Sequence, residues 1–250
     1  MQRLSHCRSI LQSTVHTSLL QVYCRFSVST LHPGQDVVAA ALVSAGAYCL
    51  VLFFDNLTER NLIKQSLSRK VVHILSGSLF MLSWPIFRLV VNGLSLATDE
   101  GLVKSVTREG NPKELLRGPL YYVLMLITSA VLFWRESPVG MIALAMMCGG
   151  DGFADIIGRR FGSVKIPYNQ HKSLAGSFAM FIFGFLFSIM MLYYFSTLGF
   201  FQLDWSSTVE KVALVALVAT IVESLPTTEV VDDNITVPLS TMLMAVMFFG

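Results

Sequence analysis

Two carboxylates, Asp151 and Asp155, stand four residues apart in the stretch CGGDGFADIIGRRFG, which interrupts an otherwise apolar chain. If the chain is helical from about Gly152 onward, this spacing places both side chains on one face of the helix. Carboxylate oxygens suit Mg²⁺, which proteins usually hold as a bridge to substrate phosphates. The spacing therefore predicts a shared divalent cation and makes both acids candidate catalytic residues and metal ligands.

The residues around these acids are suited to binding a polyphosphate. Glycines leave backbone N–H groups open to an anion, and a helix that starts beside a lysine offers further N–H groups. Arginine and lysine supply the positive charges. The nucleotide-binding residues predicted in this way are Gly150, Gly152, Arg159, Arg160, Lys165, Lys172 and Ser173.

A second interpretation of the same segment is open. The acids could stabilise a helix N-terminus while the arginines anchor a membrane boundary. The density of charge favours a site, because residues 151–172 hold far more ionisable side chains than one or two anchors require.

A second acidic cluster follows further along the chain, with Asp232 and Asp233 adjacent to each other and Glu223 and Glu229 nearby. Adjacent carboxylates repel, and a cation would relieve that repulsion. A solvated turn is the alternative, since Asp and Asn are common in turns. Asp232 and Asp233 are accordingly predicted as further metal ligands.

The composition indicates a membrane protein. The chain is 54% hydrophobic and 14% charged, with a mean hydropathy of +0.63, and no charge occurs from Leu174 to Phe201. A spanning helix needs only about 20 apolar residues. The net charge of +2 is small and forms no basic stripe, so binding to nucleic acid is not expected.

Runs with little or no charge predict an all-α, polytopic protein with about six or seven transmembrane or re-entrant helices. The candidate spans are 37–54, 71–87, 118–134, 137–148, 174–201, 212–222 and 235–249. If the later spans each cross once, the polar segments 99–117, 151–172 and 223–234 emerge on one face and can build a single site. This parity requires 137–148 to cross completely.

The first 35 residues differ from the rest. They contain arginines and many Ser and Thr residues but no acid before Asp36, which is typical of an organelle transit peptide. A disordered cytosolic tail is the alternative, and the composition does not separate mitochondrion from plastid. Residues 36–250 are predicted to form one integral-membrane domain.

The run GDGFADIIGRRFGSVKIPYNQHKSLAGS resembles the plant phytol kinases of the polyprenol kinase family, as do the segments DEGLVKSVTREGNPKELLRGPLYYVL, RKVVHI and VESLPTTEVVDDNITVPL. The resemblance extends from about Val37 to the C-terminus. It implies an integral-membrane kinase of the chloroplast that transfers a phosphoryl group from CTP, and also UTP, to phytol. The product, phytyl phosphate, would feed tocopherol synthesis.

The resemblance also implies residue roles. Asp151 and Asp155 would hold Mg²⁺ or act on the alcohol, and Asn169 would join the basic residues on the triphosphate. The chain departs from the family by lacking an apolar stretch after WPIF (84–87), so RKVVHI would fall on the opposite side from the other polar segments unless 71–97 folds back. A shortened form with reduced activity is then one expectation.

Three other functions stay open. A kinase for farnesol or geranylgeraniol would have the same features, because a hydrophobic pocket discriminates poorly among isoprenoid chains. A cytidylyltransferase would release pyrophosphate and a CDP-lipid instead of CDP and a lipid monophosphate. A transporter would place ionisable residues near the middle of its spans, where few are expected here.

Overall fold

The computed structural model describes residues 33–87, 118–133, 135–226 and 232–250. The segments in these ranges are helical apart from one small hairpin. In chain order they are α1 (Pro33–Glu59), α2 (Gln65–Ser83), a 3₁₀ turn (Trp84–Ile86), α3 (Gly118–Phe133), α4 (Pro138–Ala145), a π-helical segment (Met146–Asp151), α5 (Gly152–Phe161), β1 (Lys165–Ile166), β2 (Asn169–Ser173), α6 (Leu174–Thr197), α7 (Trp205–Ser224) and α8 (Asp233–Phe249).

The prediction of an all-α membrane protein is confirmed. Among the described residues, four helical stretches are long and apolar enough to cross a membrane, and two shorter apolar helices accompany them. The four are Val38–Glu59, Pro138–Phe161, Leu174–Thr197 and Trp205–Ser224, and the shorter ones are Leu120–Phe133 and Asp233–Phe249. The predicted transit peptide at 1–35 and the polar segment 99–117 lie outside the described residues, except for the backbone of 33–35.

The stretch Pro138–Phe161 is the central rod of the bundle, and it corrects one prediction. Residues 151–172 were expected to form a loop after a span at 137–148, but α4, the π segment and α5 run on continuously to Phe161. Ser137 caps the start by accepting a hydrogen bond from Val139 N at 3.3 Å, with Pro138 in the first turn. Asp151 therefore lies inside a candidate span, where few ionisable residues were expected.

Two glycines allow neighbouring helices to approach this rod. A Cβ atom at Gly150 would lie 2.8 Å from Met180 Sδ on α6, and one at Gly152 would lie 2.3 Å from Ile74 Cγ1 on α2. Small residues permit such close helix packing within membranes. The expectation that these glycines expose the backbone to an anion is wrong, because both are buried and Gly152 N already donates to Gly149 O.

The helices α2 and α3 run in the same direction. Tyr122, near the start of α3, donates a hydrogen bond to His73 O at 3.0 Å, and Arg135, just after α3, donates to the carbonyl of Phe87 just after α2. Both helices thus begin at one end of the bundle and finish at the other. Lys70 donates to Asp151 at 3.0 Å, so RKVVHI (69–74) lies at the same end of the bundle as Asp151 and not opposite the polar segment 151–172.

Candidate active site

Three carboxylates from separate helices meet at one end of the bundle. Asp151 ends the π segment, Glu223 lies in the last turn of α7, and Asp233 is the first residue of α8. One carboxylate oxygen from each lies within 4.8 Å of the others. Asp151 is 7% exposed and Glu223 is 3% exposed. The polar segments 151–172 and 223–234 therefore meet at the same end of the bundle, because both contribute an acid to this group.

Two lysines neutralise part of this charge. Lys172, in β2, donates hydrogen bonds to Glu223 Oε1 and, at 2.7 Å, to Asp233 Oδ2. Lys70, near the start of α2, donates to Asp151 Oδ2 at 3.0 Å. Three carboxylates and two ammonium groups leave one net negative charge among these five side chains, which we call the carboxylate–lysine cluster.

The cluster has unused capacity for a cation. Glu223 Oε2 and Asp233 Oδ1 are buried and accept no hydrogen bond from the described parts of the chain. A buried carboxylate oxygen without a partner is costly, and hard oxygen ligands suit Mg²⁺. These acids therefore fit a hard divalent cation such as Mg²⁺.

The neighbouring charges also fix protonation at the edges of the site. Burial alone would lower the pKa of Lys172, but the carboxylates of Glu223, Asp233 and Asp151 outweigh burial and raise that pKa above its usual value. Lys172 is thus charged at physiological pH.

The π segment positions Asp151. A π-helix changes the angular spacing of side chains. Such segments are rare in proteins, and those that occur are often found at functional sites. His73 Nε2 lies 3.3 Å from Met147 O, a carbonyl of this segment. Because a carbonyl only accepts, the neutral imidazole donates from Nε2, and this bond ties α2 to the segment that presents Asp151.

The hairpin β1–β2 positions Lys172. Asn169 Nδ2 donates to Ser224 O and to Leu225 O, each at 3.1 Å, and Asn169 Oδ1 accepts from His171 N. These bonds attach β2 to the end of α7 and hold Lys172 beside Glu223. Asn169, predicted to contact a triphosphate, uses its amide on the backbone instead.

Asp155 and Asp232, the other two predicted metal ligands, lie outside the cluster. Asp155 forms an ion pair with Arg159 at 2.9 Å, one turn along α5. Asp232 caps α8, since its Oδ1 accepts from Asn234 N at 2.8 Å. The group of acids that the structure brings together is Asp151, Glu223 and Asp233, and the predicted sharing of a cation by Asp151 and Asp155 stays a prediction.

Several predicted nucleotide-binding residues lie outside the cluster. Arg159, Arg160 and Lys165 are exposed, and the guanidinium of Arg160 lies 5.5 Å from the centroid of the Phe161 ring. Ser173 caps α6, because its Oγ accepts from Gly176 N at 3.2 Å. Of the basic residues predicted for this role, Lys172 is the one that the structure places among the acids.

Sequence reasoning missed Lys70 and did not choose Glu223 as a ligand. Both are ionisable residues at the polar ends of apolar helices, and Glu223 is the last acid before the end of α7. That position could have marked both residues as candidates for the site, because an ionisable residue next to a membrane span is costly unless it has a partner. The partner of Lys70, however, is 81 residues away in the chain.

The fold and the site together define a class: an all-α integral-membrane protein with a buried carboxylate–lysine cluster suited to a divalent cation. Comparison with curated proteins identifies the family. The chain is 65% identical to "Probable phytol kinase 1, chloroplastic" of Glycine max over 226 positions, covering 83% of this chain and 75% of that protein. It is 59% identical to "Probable phytol kinase, chloroplastic" of Zea mays, covering 86% and 78%.

A third relative covers almost the whole chain. "Phytol kinase 1, chloroplastic" of Arabidopsis thaliana is 56% identical over 262 positions, which cover 97% of this chain and 82% of that protein. The chain therefore belongs to the phytol kinase family. Because 262 aligned positions exceed the 250 residues of this chain, the relative contains internal residues that this chain lacks.

No protein-family model matches the chain. No solved structure matches it either. The chloroplast names of the relatives and the apolar helices confirm the predicted location as a multi-pass protein of a chloroplast membrane.

Proposed function

We propose that this protein phosphorylates phytol, taking the γ-phosphoryl group of CTP and releasing CDP and phytyl phosphate, which feeds tocopherol synthesis. UTP is a second donor in this proposal. The membership of the phytol kinase family supports the alcohol substrate and the reaction type. The single structural observation that carries the proposal is the convergence of Asp151, Glu223 and Asp233 with Lys172 at one end of the bundle.

The chemistry of the cluster fits this reaction. Phosphoryl transfer depends mainly on positioning the reactants and on stabilising negative charge. Asp151, Glu223 and Asp233 would hold Mg²⁺, which supplies charge neutralisation at the phosphate oxygens when bound. Lys172 and Lys70 add ammonium groups beside the acids, where they can attract the triphosphate.

The position of the cluster also fits the substrates. A long isoprenoid alcohol dissolves in the bilayer with its hydroxyl at the boundary with water, whereas the nucleotide arrives from water. Asp151, Glu223 and Asp233 lie at the end of a bundle of apolar helices, where such a hydroxyl and a nucleotide can meet. In the transfer, the alcohol oxygen bonds to the γ-phosphorus as the β–γ bridging oxygen leaves with CDP, and the hydroxyl proton is released.

Purified full-length protein in lipid nanodiscs, given labelled CTP and phytol, farnesol or geranylgeraniol, tests the proposal. We expect CDP and phytyl phosphate to form with Mg²⁺, and chelation of the ion to lower the rate at least about tenfold because neutralisation of the transferred phosphate is lost. Product chromatography checks this, and Mg²⁺ added back after chelation is the control. Formation of pyrophosphate and a CDP-lipid would show a cytidylyltransferase instead.

Replacing Asp155 with asparagine tests whether Asp155, which lies outside the carboxylate–lysine cluster, has a part in the reaction. We expect turnover to stay within about threefold of the original protein, since an exposed i,i+4 ion pair such as Asp155–Arg159 contributes little. The initial rate of phytyl phosphate formation is the measurement. A loss of a hundredfold or more would return Asp155 to the catalytic residues.

A further inference from the structure

Lys172 lies between two of the acids that are proposed to hold the divalent cation. Its ammonium donates to Glu223 Oε1 and to Asp233 Oδ2. The other oxygens of these carboxylates, Glu223 Oε2 and Asp233 Oδ1, are buried and have no hydrogen-bond partner in the ranges that the structure describes. Glu223 is 3% exposed, so each acid retains a buried oxygen for one more positive partner.

An ammonium group and a divalent cation cannot both remain close to the same carboxylates without strong repulsion. The repulsion between like charges a few ångströms apart is large where water is excluded. Mg²⁺ draws its oxygen ligands to about 2.1 Å and demands near-octahedral geometry. Binding of the ion by Glu223 and Asp233 therefore favours the loss of at least one of the two hydrogen bonds that Lys172 donates to them.

The structure allows the head of Lys172 to move while its backbone stays in place. Asn169 attaches β2 to the carbonyl of Ser224, and Ser173 begins α6 with a cap on Gly176. The lysine side chain, in contrast, has a flexible four-carbon stem and is 21% exposed. Its ammonium can therefore turn away from the acids toward water.

We infer that Lys172 is an exchangeable counter-ion of the carboxylate site: a divalent cation displaces its ammonium from Glu223 and Asp233, and the displaced ammonium contacts the phosphates of the nucleotide. This inference rests on the cation site of the proposed function. It gives Lys172 opposite effects on two steps, because the side chain weakens binding of the ion alone and strengthens the interaction with phosphate.

Replacing Lys172 with methionine separates these effects. In the full chain in nanodiscs, probed with Mn²⁺ alone by electron paramagnetic resonance, we expect Lys172→Met to bind Mn²⁺ about tenfold more tightly, as expected when a nearby like charge is removed. Phosphotransfer from CTP should fall at least about tenfold, because a phosphate contact is lost. The matched control is Lys64→Met, since Lys64 is an exposed lysine just before α2, and we expect both values to stay unchanged.

A second measurement needs no variant, and it tests the displacement of Lys172 by the cation even if Lys172→Met does not fold. Water-soluble acylating reagent is applied to the original protein, and labelling of Lys172 relative to Lys64 is quantified by mass spectrometry. We expect Mn²⁺ to raise the relative labelling of Lys172 at least about threefold, because the displaced ammonium becomes accessible to water. An unchanged or lower labelling would overturn the exchange.

The two proposals fail in distinguishable ways. Neither Mn²⁺ binding nor labelling uses nucleotide or alcohol, so absence of phosphotransfer from CTP to phytol in the original protein would overturn the proposed function alone. Mn²⁺ binding to Lys172→Met that is no tighter than to the original protein would overturn the exchange alone, even if phytyl phosphate is formed.

Discussion

Replacing Glu223 with glutamine should lower phytyl phosphate formation by about 100- to 1,000-fold, equivalent to roughly 3 to 4 kcal/mol of transition-state stabilisation. Glutamine keeps the size of the side chain but removes its charge. The remaining carboxylates, Asp151 and Asp233, would then be balanced by Lys70 and Lys172. The cluster would lose the net negative charge that attracts a divalent ion, so the Mg²⁺ concentration for half-maximal rate should rise.

The same helix provides a matched control for this substitution. Glu210 lies in α7 at the opposite end from Glu223 and is exposed, so Glu210→Gln removes the same charge without touching the cluster. We expect its rate and Mg²⁺ dependence to match those of the original protein. Near-normal turnover of Glu223→Gln, with an unchanged Mg²⁺ requirement, would show that the three carboxylates are not the cation site.

Two features of the fold were predictable from the sequence because they depend on local composition. One is the helical bundle, and the other is the meeting of two polar segments at the same end of it. Charge-free runs predict apolar helices, and counting crossings places 151–172 and 223–234 together. Asp151 and Asp233 lie in those segments, and both are in the observed cluster. Lys172 was predicted for the same reason, since it stands where the polar segment meets the start of α6.

The partners within the cluster were not predictable in the same way. The pairing of Asp151 with Asp155 was expected from α-helical spacing, but each acid has a different basic partner, since Asp151 pairs with Lys70 and Asp155 pairs with Arg159. Asp232 and Asp233 are equivalent in the sequence, and the start of α8 separates them by using Asp232 as its cap. The bond between Lys70 and Asp151 depends on the packing of α2 against the central rod.

Glycine was the least specific of the sequence patterns, because a glycine can be required either for anion binding or for close helix packing. A backbone open to a phosphate and a backbone packed against another helix both exclude a Cβ atom. The sequence favoured the first at Gly150 and Gly152, and the structure shows the second. Gly77 of α2 has the same role as these two, and its close contacts make it the most informative glycine for a test of stability.

Replacing Gly77 with alanine should destabilise the fold by about 2 to 3 kcal/mol, near the upper part of the usual range for an overpacked core. The new Cβ atom would lie 2.1 Å from Cys148 Sγ and 2.5 Å from Tyr122 Oη. Cys148 belongs to the π segment and is completely buried, so its side chain has little room to move. The free energy of unfolding, measured by denaturant titration of the purified protein in mixed micelles, is the quantity to compare.

Gly46 supplies the control for the change of residue type. It lies in α1, and a Cβ atom there would meet nothing within 4 Å, so Gly46→Ala should be neutral or stabilise by up to about 1 kcal/mol through helix propensity. The contrast isolates steric contact, because both substitutions add one methyl group to a helix. If Gly77→Ala unfolds at the same denaturant concentration as Gly46→Ala, α2 does not pack closely against the π segment, and the contact that aligns His73 with Met147 would be absent as well.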